Sequence, residues 1–184
     1  MKKIVCLLMA LVMLFAASCS KKSNVNDKKD TETSKSKTVK DTGSNTKEST
    51  IKVKLYFADS AGRCLIPEER EVKDDGLSEE AVVVSELIRG TDNKELVSLI
   101  PEGTKLISVK REGNLCTVDL SSEFVGASNG ATESTLCLYS LVNSLTSIDG
   151  IDEVQFLIDG EKQEIFGSLI FDEPFTADES YNKK

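Results

Sequence analysis

Histidine is missing from this 184-residue sequence, and its five cysteines and 31 acidic residues are the first candidates for catalytic or metal-binding chemistry. Without His there is no imidazole base, no His-containing triad and no His metal ligand. The acids gather at Glu68-Glu69-Glu71, Asp74-Asp75, Glu79-Glu80 and Asp149-Asp152-Glu153. Paired carboxylates can cleave glycosidic bonds or bind calcium. None of these clusters follows an EF-hand pattern, and three of the four lie where turns or helix starts are expected, so solvated surface is their expected role. A GxxxxGK[ST] phosphate loop is absent. With no tryptophan, a stacking groove for sugars or bases is poorly supplied. The expectation is a protein that is not an enzyme, with no catalytic, cofactor-binding or metal site.

The cysteines divide by position. Lys2-Lys3 precede an apolar run from Ile4 to Ala17, followed by Ser18-Cys19. A basic start, a short apolar run and small residues before a cleavage point are the pattern of a secretory signal. The run has 14 residues, short of the roughly 20 that span a bilayer. Residues 1–18 are therefore read as a signal peptide, which carries Cys6 away. Ala16-Ala17-Ser18-Cys19 resembles the lipobox of bacterial lipoproteins, with Ala16 where Leu is usual. That resemblance implies lipidation of Cys19: a diacylglycerol on its thiol and an acyl chain on its amine. Anchoring by more than one chain is what stable attachment requires. The implied location is the extracytoplasmic face of the cell membrane.

Residues 19–50 follow as a lipidated Cys and a tether. Ser20 to Thr50 is Lys, Ser, Thr, Asn and Asp, with little apolar besides Val25 and Val39. Such a composition buries too little surface to offset ordering entropy. Its average reach would be about 30 Å. Eight lysines against five acids make it mildly basic, whereas residues 51–184 carry 13 Lys/Arg and 26 Asp/Glu. A basic tether could be drawn to anionic headgroups, but a solvated linker is the preferred reading. The acidic domain excludes nucleic acid as a partner, because nothing basic clusters there to neutralise phosphates.

Residues 51–184 are long enough for one domain. Val53, Leu55 and Phe57 alternate with Lys52, Lys54 and Tyr56, the pattern of a half-buried strand. Residues 63–73 read as a second, irregular extended stretch interrupted at Pro67, and as a candidate sheet edge. Ser78 should cap a helix with Glu79 and Glu80 in its first turn and Gly90 at its end. A short helical turn is expected around Asn93–Ile100. Strands at 104–111 and 114–120 are expected to meet at a Glu112-Gly113 hairpin turn, with Cys116, Val118 and Leu120 on one face. A helix over 131–147 places Leu138, Leu141, Val142 and Leu145 on one stripe, and a strand follows at 153–159. This β-α-β-β-α-β order predicts an α+β two-layer sandwich, with helices on one face of a mixed sheet. Of the domain's three cysteines, Cys116 and Cys137 sit on apolar faces, where free Cys packs as a small hydrophobe. Three is odd, so a complete disulfide framework is excluded, while the sequence leaves a single bridge among Cys64, Cys116 and Cys137 open.

Five stretches of the domain carry a family resemblance. They are Leu55-Tyr56-Phe57, Leu65-Ile66-Pro67-Glu68-Glu69-Arg70 and Leu99-Ile100-Pro101-Glu102-Gly103-Thr104. Val118-Asp119-Leu120-Ser121-Ser122-Glu123-Phe124 and Phe156-Leu157-Ile158-Asp159-Gly160 complete them. In this order and spanning 51 to about 175, they resemble the GerMN domain family of sporulation and spore germination lipoproteins. The resemblance implies a fold similar to ring-building motifs and an adaptor role among envelope or sporulation proteins, and it supplies no catalytic residue. Where the sporulation protein GerM has two such domains in tandem, residues 51–184 have room for one.

Three roles are compatible with these residues. The first is a non-catalytic, lipid-anchored assembly factor in sporulation or germination. The second is a ligand-sensing lipoprotein that signals to a membrane partner and needs an apolar pocket. The third is a peptidoglycan hydrolase working through paired carboxylates. The lack of catalytic groups and the family resemblance favour the first.

Overall fold

The computed structural model describes residues 49–126 and 130–184. The leader, Cys19 and nearly all of the tether lie outside the described residues. Alternation of apolar and polar side chains drives the first two strands, β1 (Thr50–Asp59) and β2 (Leu65–Lys73), into an antiparallel hairpin. Val53, Leu55 and Phe57 of β1 are buried. Register places Arg70, Glu68 and Ile66 directly opposite them. The β2 strand is regular over all nine residues, so Pro67 does not interrupt it. The reason lies at the sheet edge. Leu65 turns its carbonyl outward to the backbone N–H of Lys183 at 2.8 Å. Alternation turns the backbone of Pro67 outward too, where a missing N–H costs no ladder bond.

Helix α1 (Glu79–Arg89) begins as expected, with the Ser78 hydroxyl accepting from the N–H of Ala81 at 3.3 Å. Gly90 ends it at φ 86°, a conformation that favours glycine. Val82, Val83, Val84 and Leu87 are buried, so tertiary burial outweighs the strand propensity of three consecutive valines. The helical turn expected around Asn93–Ile100 is not formed. A turn there leads into a two-residue strand, β3 (Leu96–Val97), which pairs with Ala58 and Asp59. Pairing with the edge of β1 holds this segment extended in place of the expected helical turn.

The hairpin of β4 (Leu106–Glu112) and β5 (Leu115–Leu120) turns at Gly113-Asn114, one residue later than expected. Gly113 adopts φ 65° while Asn114 does not have positive φ, the signature of a type II′ turn. A four-residue helix α2 (Glu123–Gly126) and the longer α3 (Ala131–Leu145) precede β6 (Glu153–Ile158), which joins β5 in parallel. The chain closes with short strands β7 (Ile165–Phe166), β8 (Leu169–Ile170) and β9 (Phe175–Thr176), then a 3-10 turn at Glu179–Tyr181.

The α+β architecture is as the sequence predicts, with finer detail in the sheets. The strands divide into an antiparallel β2-β1-β3 sheet and a mixed β4-β5-β6-β9 sheet, beside the small β7-β8 hairpin. One core joins them: Leu55 and Phe57, Val83 and Leu87, Leu138 and Leu141, and Val118 and Phe156 all belong to a single buried cluster. No helix among the described residues is long and apolar enough to cross a membrane.

Candidate functional site

Glu68 and Arg70 stand at inward positions of β2, which alternation would give to apolar side chains. The structure satisfies both. Arg70 pairs with Glu68 and with Glu86 of α1, donates to the carbonyl of Gly90 at 3.1 Å, and lies over the ring of Phe57 at 5.7 Å. Glu68 also accepts from the Thr91 hydroxyl at 2.6 Å. Burial opposes ionisation of Glu68, but the Thr91 hydroxyl and Arg70 outweigh it and hold its pKa below the ordinary carboxylate value. Burial likewise opposes the charge on Arg70, and hydrogen bonds to Glu86 and Glu68 raise its pKa regardless. The Leu65–Arg70 stretch therefore carries a cation that ties β2 to the end of α1.

The other family-like stretches also hold one another. The carboxylate of Asp119 accepts from the N–H of Gly160 at 2.9 Å, fastening β5 to the β6 turn. That turn has Asp159 at φ 51° and Gly160 at φ 82°, as a type I′ turn requires. Ser121 bonds Lys105 twice, its hydroxyl accepting from the Lys105 N–H at 3.0 Å and its own N–H donating to the Lys105 carbonyl at 3.0 Å. Thr104 donates through both its hydroxyl and its N–H to the carbonyl of Pro101. Phe124 is fully buried. These motif residues are occupied in shaping the domain.

The acidic clusters are partly surface, as expected, and partly not. Asp74 and Asp75 brace their own turn by accepting from Gly76 and Leu77. Glu68 is committed to Arg70, and Glu80 is buried and approached by Arg111 at 3.4 Å. The solvated-surface expectation fails for these two glutamates, because each has an arginine that the linear cluster did not reveal. No group of three or more metal-ligating side chains converges among the described residues.

Cys64, Cys116 and Cys137 are free, with Cys116 and Cys137 buried. Burial pushes both buried thiols up to about 12, which leaves them protonated and unreactive at neutral pH. Cys137 also borders a cleft of about 210 Å³ with Leu99, Pro101, Phe124 and Phe166. That is below the roughly 300 Å³ at which small-molecule pockets begin.

Sequence reasoning missed the polar side of α3. Its Ser144 hydroxyl accepts from the N–H of Tyr56 at 2.9 Å, and its Ser140 hydroxyl donates to the Tyr56 carbonyl at 2.5 Å. Two serines one turn apart thus stand in for a strand partner on β1. Asn143 binds the backbone of Asp178 in both directions, at 3.1 Å each, and reaches Asn182. Tyr181 stacks on Tyr139 with centroids 4.5 Å apart. The C-terminal segment is thereby held across α3 to the start of β2. The available signal was the unbroken polar set Ser140, Asn143, Ser144 and Ser147 at helical spacing.

The family described as "Germane: Sporulation and spore germination" matches residues 54–164. The chain belongs to this family. Among solved structures, the tandem GerMN domains of the sporulation protein GerM from Bacillus subtilis superpose with a TM-score of 0.61 at 19% identity. That match covers 77% of this chain and 49% of the other, so the chain spans about half of the tandem structure. The first GerMN domain of the same protein gives a TM-score of 0.57 at 20% identity, covering 67% of this chain and 96% of the other. At such identity the likeness establishes the fold, which is that of a GerMN domain. No curated protein sequence matches.

Proposed function

We propose that this protein is a non-catalytic, lipid-anchored envelope protein whose GerMN domain assembles with other envelope proteins during sporulation or spore germination. Membership of the Germane family over residues 54–164 is the observation that carries this reading. The commitment of Asp119, Ser121 and Arg70 to structural bonds supports it, since these motif residues serve the scaffold. Cys19 supplies the anchor, the tether sets the reach, and the domain offers surface to protein partners. The Leu99–Pro101 cleft is small. Larger clefts of about 370 and 510 Å³ are lined mostly by charged and polar side chains such as Lys52, Glu69, Asp59 and Arg63, not by the apolar wall that a ligand-sensing role needs.

Deletion, with complementation by the full chain or by Cys19→Ser, is the direct test. Deletion should impair spore formation or germination. The wild-type chain should restore it and partition with membranes as a lipidated species. Cys19→Ser should stay unlipidated and restore it poorly. Normal sporulation and germination without the protein would overturn the assembly role.

A further inference from the structure

The β7-β8 hairpin projects two isoleucines side by side. Ile165 and Ile170 are cross-strand partners and are 66% and 70% exposed, more than any other large apolar side chain described. Their neighbours in sequence, Phe166 and Phe171, point the other way and are buried. Phe166 stacks on Phe124 at 5.0 Å and Phe171 on Phe156 at 5.5 Å between centroids. At the base, Lys162 donates to the carbonyl of Asp172 at 2.9 Å, and the N–H of Phe171 donates to Glu164 at 2.9 Å. The isoleucines therefore stand on a stapled support, and ordering them on binding costs little entropy. The hairpin lies beyond residue 164, where the family match ends.

Charge selects what could cover them. The hairpin and its flanks, residues 159–173, carry Asp159, Glu161, Glu164, Asp172 and Glu173 against one cation, Lys162, whose ammonium is bonded to the Asp172 carbonyl. Two isoleucines alone make an anchor, not an interface, because a stable contact buries about 1,600 Å² in total. The remainder must come from surrounding acidic surface. A second copy would bring like charge against like, and an anionic membrane would repel the same surface.

We infer that the Ile165–Ile170 pair, set in this acidic surface, is the docking site for a basic protein partner with an apolar slot. The inference rests on the assembly reading and specifies its contact. Apolar contact with the two isoleucines supplies the anchor, and Lys or Arg on the partner pairs with the acidic rim and speeds encounter.

The test uses the full-length lipoprotein in its own cells, with a photoreactive benzophenone side chain placed singly at Ile165, at Ile170 or, as control, at Lys52 of β1. The expected result is one discrete adduct from the two hairpin positions and none from Lys52. Mass spectrometry should find its contact segment rich in Lys or Arg. The purified partner should then bind the full-length chain, with I165S/I170S about tenfold weaker and salt weakening both. The double variant should melt as the wild type does, since both side chains are exposed. An absent adduct, an adduct to lipid, to a second copy or to an acidic protein, or unchanged affinity in the variant would overturn the inference. An adduct to a basic protein with no envelope role keeps the docking site and removes the assembly reading. Impaired sporulation on deletion with no adduct does the reverse.

Discussion

Around β1 and β2 ion pairs reinforce the apolar core, whereas around β5, β6 and β9 aromatic rings do. In the first region Arg70 bridges Glu68 and Glu86 over the ring of Phe57. Lys52 and Glu71 pair across the same two strands on the outer face. In the second region Phe124, Phe156, Phe166 and Phe171 stack in one connected cluster, which Phe175 joins at a tilt. Most of the charges on β6, β9 and the turns beside them are negative, and on β5 the buried Asp119 is spent on the Gly160 N–H. An ionic tie specifies which residue must face which, and it fails when one partner is lost. An aromatic stack tolerates surrounding charge, because its stabilisation comes from burial and ring packing. This difference explains how the second region can carry a large excess of acid without losing its fold.

Loss of a ring should have the largest effect. Phe156 is fully buried, and Phe156→Ala should destabilise by about 3–5 kcal/mol, read as a lower midpoint in urea unfolding. Little salt dependence is expected. A strong one would mean that the aromatic region also depends on charge.

Loss of the cation comes next. Arg70→Met leaves two carboxylates facing each other behind a side chain that is only 12% exposed. The expected loss is about 2–4 kcal/mol, below the fully buried limit because Glu68 keeps some contact with water. Adding Glu68→Gln and Glu86→Gln should recover part of it. The folded-state pKa of Glu68 is lowered, so its contribution is present above the ordinary value and is lost as pH falls through the folded one. The wild type should therefore weaken in acid more steeply than the triple variant. Parallel profiles would remove the ionic account of this region.

The smallest effect tests the seam between β1 and α3. Ser140→Ala with Ser144→Ala removes both hydroxyl partners of the Tyr56 backbone, at about 0.5–1.5 kcal/mol for each hydrogen bond lost. Hydrogen exchange at Tyr56 should quicken before the rest of β1 does. Unchanged protection there would show that the hydroxyls are dispensable.

Legibility in the sequence followed the range of the interactions. The Ser78 cap, the Asp159-Gly160 turn, the β5 face of Cys116, Val118 and Leu120, and the α3 stripe were all readable, since each depends on neighbours within a few residues. In the sequence Pro67 reads as an interruption, because a proline's cost depends on which side of the strand is paired, and only the sheet shows that. The segment at 93–100 became a turn and a strand because β1, some forty residues earlier, offered it an edge. Glu68 and Arg70 left a trace, as charges at inward positions of an alternating strand, but their partner Glu86 lay sixteen residues beyond Arg70.

By itself the sequence determined the α+β class, the order of the long elements, the family and the absence of histidine chemistry. Periodicity, caps and turn residues are local, and composition needs no coordinates. Only the tertiary structure decided that the strands form two sheets and that serines of α3 complete β1. It also decided that Ile165 and Ile170 stand exposed while Phe166 and Phe171 beside them are buried. All four are apolar, and their fates differ because a two-residue strand points alternate side chains to opposite sides. Which side is the core depends on where Phe124 and Phe156 lie, and that is a fact of packing.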